Sequence, residues 1–117
     1  MKQFRRDAGP GVSAYGLEVL QAEVARLAAL IGAEQPDVLG FEPGDSRPYV
    51  EIDSDGVYHW KRAAPETDRA TPARDDVLYW SFEAVTRAIA GPDDERQLDL
   101  LRTLDPRWAE RRARERA

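Results

Sequence analysis

Apolar residues recur at helical spacing in several stretches of this chain and alternate with polar ones in another. In the strongest helical stretch Leu78, Phe82, Val85 and Ile89 form one row, and Val77, Trp80, Ala84 and Ala88 form a second beside it. Two rows predict a helix buried on most of its circumference. Asp75 and Asp76 suit the positive end of that helix, and Gly91-Pro92 stop it. Upstream, Leu17, Leu20, Val24, Leu27 and Ile31 fall on one side of a helix that Ser13 would cap and Gly32 would end. Gly16 costs that helix about 1 kcal/mol relative to Ala, so its first turn is expected to fray. Downstream, Leu98, Leu101 and Leu104 line a helix opened by Pro92-Asp93-Asp94. Asp105-Pro106 starts a last one, which offers Trp108, Ala109 and Ala113 to the interior.

The alternating stretch reads as a hairpin. Tyr49-Val50-Glu51-Ile52-Asp53 and Val57-Tyr58-His59-Trp60-Lys61 flank Ser54-Asp55-Gly56, a loop that wants a type I turn followed by a left-handed glycine at Gly56. This register sets Ile52 opposite Tyr58 and Val50 opposite Trp60, which makes one face wholly apolar. The other face carries Tyr49 opposite Lys61, Glu51 opposite His59 and Asp53 opposite Val57. A slip of one residue would mix the two sets. Two strands are marginal in water, so a third is expected, from residues 38–41 or 67–70. The fold class is therefore α+β, a small antiparallel sheet packed on one face by an N-terminal helix and C-terminal helices. Residues 1–12, with Gly9-Pro10-Gly11 and no periodicity, are expected to form a flexible arm, and residues 13–117 a single domain.

Charge sharpens this picture. Of the net −5, residues 34–76 carry −6, from eleven acids against five bases. An acidic middle repels phosphate and attracts a basic protein surface. The chain has no cysteine, which excludes disulfides and thiolate metal sites. The amino end has charge without a following apolar run, and no segment approaches the roughly 20 apolar residues of a membrane span. A cytoplasmic protein with no membrane contact is expected.

Catalytic and metal chemistry find little footing. Glu51-x-Asp53-x-Asp55-Gly56 resembles the opening of a calcium loop, but the twelfth position holds Arg62 where a bidentate Glu is needed. Side-chain hydrogen bonds of Asp53 and Asp55 within the turn account for those acids. His59, the one histidine, has no second nitrogen or sulfur ligand for zinc, and reads as a cross-strand partner of Glu51. Ser54 and Ser81 lack a nucleophile elbow, and no glycine-rich phosphate loop precedes a helix. No enzyme, cofactor or metal is expected. Arg107, Arg111, Arg112, Arg114 and Arg116 invite a nucleic-acid reading, but Glu110 and Glu115 interrupt them and no aromatic platform accompanies them. They read as a solvent helix with Glu110–Arg114 and Arg111–Glu115 pairs.

Three stretches carry a resemblance. Tyr49-Val50-Glu51-Ile52-Asp53-Ser54-Asp55-Gly56-Val57-Tyr58-His59-Trp60 resembles the hairpin of a bacterial polymorphic-toxin immunity family, the one numbered sixty-three. Asp76-Val77-Leu78-Tyr79-Trp80-Ser81-Phe82-Glu83-Ala84-Val85-Thr86 is similar to that family's signature helix. The run from Gln97 through Leu104-Asp105-Pro106-Arg107-Trp108-Ala109-Glu110-Arg111-Arg112 resembles its carboxyl end. The likeness extends from Leu20 onward. It departs at Gly91-Pro92-Asp93-Asp94-Glu95, where the family carries a longer polar and aromatic segment. It departs again at Lys61-Arg62-Ala63, where the family tends to a Glu-Arg-Gly turn. The resemblance implies a non-enzymatic protein that neutralises a cognate toxin domain by stoichiometric binding.

The residues themselves nominate the surface. Tyr49, Glu51, Asp53 and His59 on the open hairpin face, with Glu42, Asp45 and Asp55 nearby, are the candidate partner-binding set, Tyr49 as anchor and the acids as steering charges. A small ligand-binding or regulatory domain is the alternative, and it expects a pocket lined by Trp60, Trp80 and Phe82.

Overall fold

The computed structural model describes residues 8–42, 47–63 and 66–116, with side chains described from Gly16 onward. Helix α1 (Ala8–Leu30) and a short α2 (Gln35–Val38) precede strands β1 (Tyr49–Ile52), β2 (Tyr58–Ala63) and β3 (Glu66–Thr71). Helices α3 (Arg74–Ala90), α4 (Asp94–Leu104) and α5 (Pro106–Arg116) follow. The strands form one antiparallel sheet in the order β1-β2-β3. This is the expected α+β class.

The hairpin register is the expected one: Tyr49 pairs with Lys61, Val50 with Trp60, Glu51 with His59 and Ile52 with Tyr58. Gly56 takes φ +80°, and the loop closes with the Gly56 N–H on the Asp53 carbonyl at 3.0 Å and the Asp53 N–H on the Val57 carbonyl at 3.0 Å. Both candidates for a third strand take part, unequally. Residues 66–71 pair fully with β2. Gly40 makes only an isolated parallel bridge to Tyr49, through 2.8 Å and 3.1 Å backbone bonds, at the other edge.

Helices α1 and α3 cover the apolar face of the sheet, and α4 and α5 pack behind α3. Val50 and Trp60 are buried beneath them, with Ile52 and Tyr58 half-buried beside them. Trp60 is fixed from above: its indole N–H donates to Ser81 Oγ at 3.1 Å, and that hydroxyl donates to the Val77 carbonyl at 2.8 Å. Leu20, Val24 and Leu27 of α1 are buried as their spacing predicts. Gly32 (φ +72°) ends that helix in a Schellman motif, with the Ala33 N–H on the Ala28 carbonyl at 3.0 Å. Gly16 has a packing role that its propensity conceals, because a Cβ there would stand 3.1 Å from Ile52 Cδ1.

Several expectations need correction. Helix α1 starts at Ala8, so residues 8–12 are helical and Ser13 is interior rather than the N-cap; residues 1–7 lie outside the described residues. Pro10 is tolerated because the first four N–H groups of a helix have no intrahelical acceptor anyway. In α3 the row Val77, Trp80, Ala84, Ala88 is not uniformly inside, and Ala88 is exposed. Ser81 and Thr86 take buried places instead, since each hydroxyl donates to a carbonyl one turn back, the Val77 and Phe82 oxygens at 2.8 and 2.7 Å. Gln97 is buried in α4 beside Leu101, held to the Glu83 carbonyl at 3.0 Å.

In α5 Ala113 is exposed, while Trp108 is buried, stacked on Phe82 at 5.8 Å and edge-on to Tyr79 at 6.3 Å. The arginines of α5 mostly face the chain's own acids. Arg111 meets Asp76 at 2.9 Å and Glu115 at 3.4 Å, Arg116 meets Asp94 at 2.8 Å and Arg112 meets Glu83 at 3.7 Å. The expected Glu110–Arg114 pair does not form. Asp75 and Asp76 thus do more than suit the dipole of α3: Asp75 accepts from the Trp108 indole at 3.3 Å, and both acids dock α5.

Removing the Ser81 hydroxyl strands the Trp60 donor in the core. Ser81→Ala should cost about 1–3 kcal/mol in urea denaturation. Thr103→Ala, whose hydroxyl bonds the Asp99 carbonyl on an exposed face, should stay within about 0.5 kcal/mol.

Candidate functional site

Because side chains alternate along a strand, burying Val50 and Trp60 turns Tyr49, Glu51, His59 and Lys61 to the reverse side of the sheet. Strand β3 extends this side. His59 pairs with Ala70, Lys61 with Asp68 and Ala63 with Glu66, and Glu66, Asp68 and Ala70 are all exposed. The reverse face therefore gathers four carboxylates (Glu51, Asp53, Glu66, Asp68) around one lysine and one histidine. Two shallow hollows mark it. One, of about 220 Å³, lies among Glu51, Asp53, His59, Lys61 and Asp68, and the other, of about 370 Å³, among Tyr49, Lys61, Glu66 and Asp68.

The basic groups are held by the acids around them. Lys61 Nζ donates to Glu51 Oε1 at 2.9 Å, which raises the ammonium pKa. His59 Nε2 lies 2.9 Å from Asp53 Oδ2, and its Nδ1 lies 3.3 Å from Asp68 Oδ1. His59 is thus not the partner of Glu51 that its register position suggested. Lys61 reaches Glu51 first, and β3 supplies Asp68 on the other flank. Asp53 is also a turn residue, its Oδ1 accepting the Asp55 N–H at 2.9 Å and the Val57 N–H at 3.1 Å. The expected turn role for Asp53 is present, whereas Asp55 contributes only its backbone.

Of the seven candidate residues, Tyr49, Glu51, Asp53 and His59 share this face, and Asp55 stands exposed at the tip of its turn. Glu42 is exposed but lies past the Gly40 bridge, near Gln35 and Phe41. Asp45 lies outside the described residues. Glu66, Asp68 and Lys61 belong to the face and were not in the candidate set. The alternation of Glu66, Asp68 and Ala70 against Thr67, Arg69 and Thr71 was the available signal. No group of three or more His, Asp or Glu residues among the described residues is placed to hold a metal ion. The pocket expected from the alternative reading is filled by packing: Trp60 and Phe82 are buried, and the Trp60 and Trp80 rings meet at 6.2 Å. No described helix is long and apolar enough to cross a membrane.

The Asp53–His59–Asp68 bridge makes the face sensitive to pH. The hydrogen bond with Asp53, then that with Asp68, raises the His59 pKa above its ordinary 6.5. The His59 contact, then the Val57 N–H, lowers that of Asp53 below 3.8. The stability that His59 gains is complete below pH 6.5 and is lost as pH rises through its raised pKa; that of Asp53 is lost as pH falls through its lowered one. An NMR titration of the imidazole should show the elevated value, and Asp68→Asn should move it back toward 6.5. A wild-type midpoint at or below 6.5 would contradict the bridge. The chain matches no family model, no curated protein and no solved structure.

Proposed function

We propose that this chain is an immunity-type protein, one that neutralises a cognate toxin domain by binding it stoichiometrically through the reverse face of its sheet. The observation that carries the reading is the four-carboxylate face, which lies open on a sheet whose other side packs under α1 and α3. Its charges are pre-positioned, since Lys61 and His59 brace three of the acids, and a braced surface loses less freedom on docking. Glu66 makes no side-chain hydrogen bond or ion pair among the described residues and is free to meet a basic group on a partner. Half-buried Tyr49 lines the larger hollow and is suited to anchor. Stable inhibition needs about 800 Å² on each partner, so the footprint would run over the rim toward Asp55 and Glu42. The role of toxin neutraliser comes from the sequence resemblance; the surface comes from charge and exposure.

The test reverses acids whose own ion pairs are exposed and contribute about 0–1 kcal/mol each. Glu51→Lys, Glu66→Lys and Asp68→Lys together should slow association with the toxin domain encoded beside this chain by about tenfold or more at low salt. The gap should close toward 1 M salt, where the Debye length is about 3 Å. Asp53 is left intact because it ties the turn. An association rate unchanged by the triple substitution at every salt concentration would remove this face as the docking surface.

A further inference from the structure

We propose that the crevice between α2, β2 and α3 binds a carboxylate carried on a short aliphatic stem, gripped by Arg62. The crevice has a volume of about 170 Å³, below the roughly 300–1,000 Å³ of ordinary small-molecule sites and suited to one short chain. Its walls are mostly apolar: Val38 and Pro48 on one side, Ala84, Val85 and Ala88 of α3 on the other. Into this setting β2 sends Arg62, whose Nε is buried without a hydrogen-bond partner. Among the described residues its guanidinium has no ion pair, and it stands over the Trp60 ring, 5.3 Å from the centroid.

Two buried N–H groups among the described residues lack a partner, Arg62 Nε and the Trp80 indole, and of these the arginine is the one that carries a charge and lines the crevice. A carboxylate answers it best, because its two oxygens match the planar guanidinium fork. The other charges at the crevice leave that preference standing: Asp37 is matched by Arg47 at 3.1 Å, and Arg62 remains in excess. Ser81 also lines the crevice, but its hydroxyl is already engaged by Trp60 and the Val77 carbonyl. The alanines of α3 explain why an alkyl stem, rather than a more hydrated phosphate, fits beside the charge. This site lies on the covered side of the sheet and is argued independently of the docking reading, although Arg62 also borders the larger hollow of the reverse face.

The same chemistry could come from a free short-chain acid or from an acidic side chain of a partner. A ¹H–¹⁵N NMR titration with sodium butyrate, and separately with acetyl-Ala-Glu-Ala-amide, distinguishes them at constant ionic strength. Saturable shifts of the Ser81, Ala84, Val85 and Ala88 amides and of the Arg62 Nε–H are expected. The tighter of the two probes names the source. Arg62→Gln should weaken binding by about tenfold or more. Ala88→Leu, at an exposed position, should block it while leaving the cation in place. Shifts that never saturate with either probe, equal shifts from n-butanol, or undiminished binding by both variants would each overturn the assignment.

Discussion

The indole of Trp60 is where sheet and helix layer become one structure. Its ring is buried opposite Val50, and its N–H is answered by a serine hydroxyl on α3 that is itself tied to the helix backbone. An indole is a large apolar body with one polar atom, and burying it costs least where that atom finds an acceptor. Ser81 provides the acceptor where α3 packs on β2. This contact decides which side of the sheet faces inward. Once Trp60 is inside, the pleat sends His59 and Lys61 outward, and pairing brings Glu51 and Asp68 beside them.

The reverse face is therefore a consequence of packing as much as a choice of surface residues. Its acids would repel one another if left alone. Lys61 and His59 sit between them and hold three of the four in place, so the face keeps its negative sign without disordering its strands. The basic α5 helix follows the same rule with the signs exchanged, its arginines bound to acids of α3 and α4. Exposed pairs of this kind contribute about 0–1 kcal/mol each, so the packing of Trp108 on Phe82 and Tyr79 is the larger restraint on α5.

The hairpin was legible because two independent signals agree on it: a loop that demands Gly56 at positive φ, and a period-two pattern that only one register satisfies. The third strand was legible only as one of two candidates, residues 38–41 or 67–70. Residues 66–71 are polar on both sides, and only Thr71 is buried, so pairing with β2 rather than burial makes them a strand. The rest of the candidate site inherited that ambiguity. Without β3, Glu66 and Asp68 have no address, and His59 is assigned to Glu51 by default. In α3, hydrophobic spacing misjudged the inside because Ser81 and Thr86 satisfy themselves on their own helix and can then be buried like alanine. Gly16 looked like a weak point in α1, and only the position of Ile52 shows it to be a point of close approach.

One side of this sheet closes the core, and we propose that the other meets a protein. An NMR cross-saturation experiment on the chain bound to the toxin domain proposed as its partner tests this residue by residue. Intensity should be lost at the amides of Glu51, His59, Lys61, Asp68 and Ala70, with the solvent faces of α1 and α4 unaffected. Loss confined to the helices, with these strand amides untouched, would contradict the account.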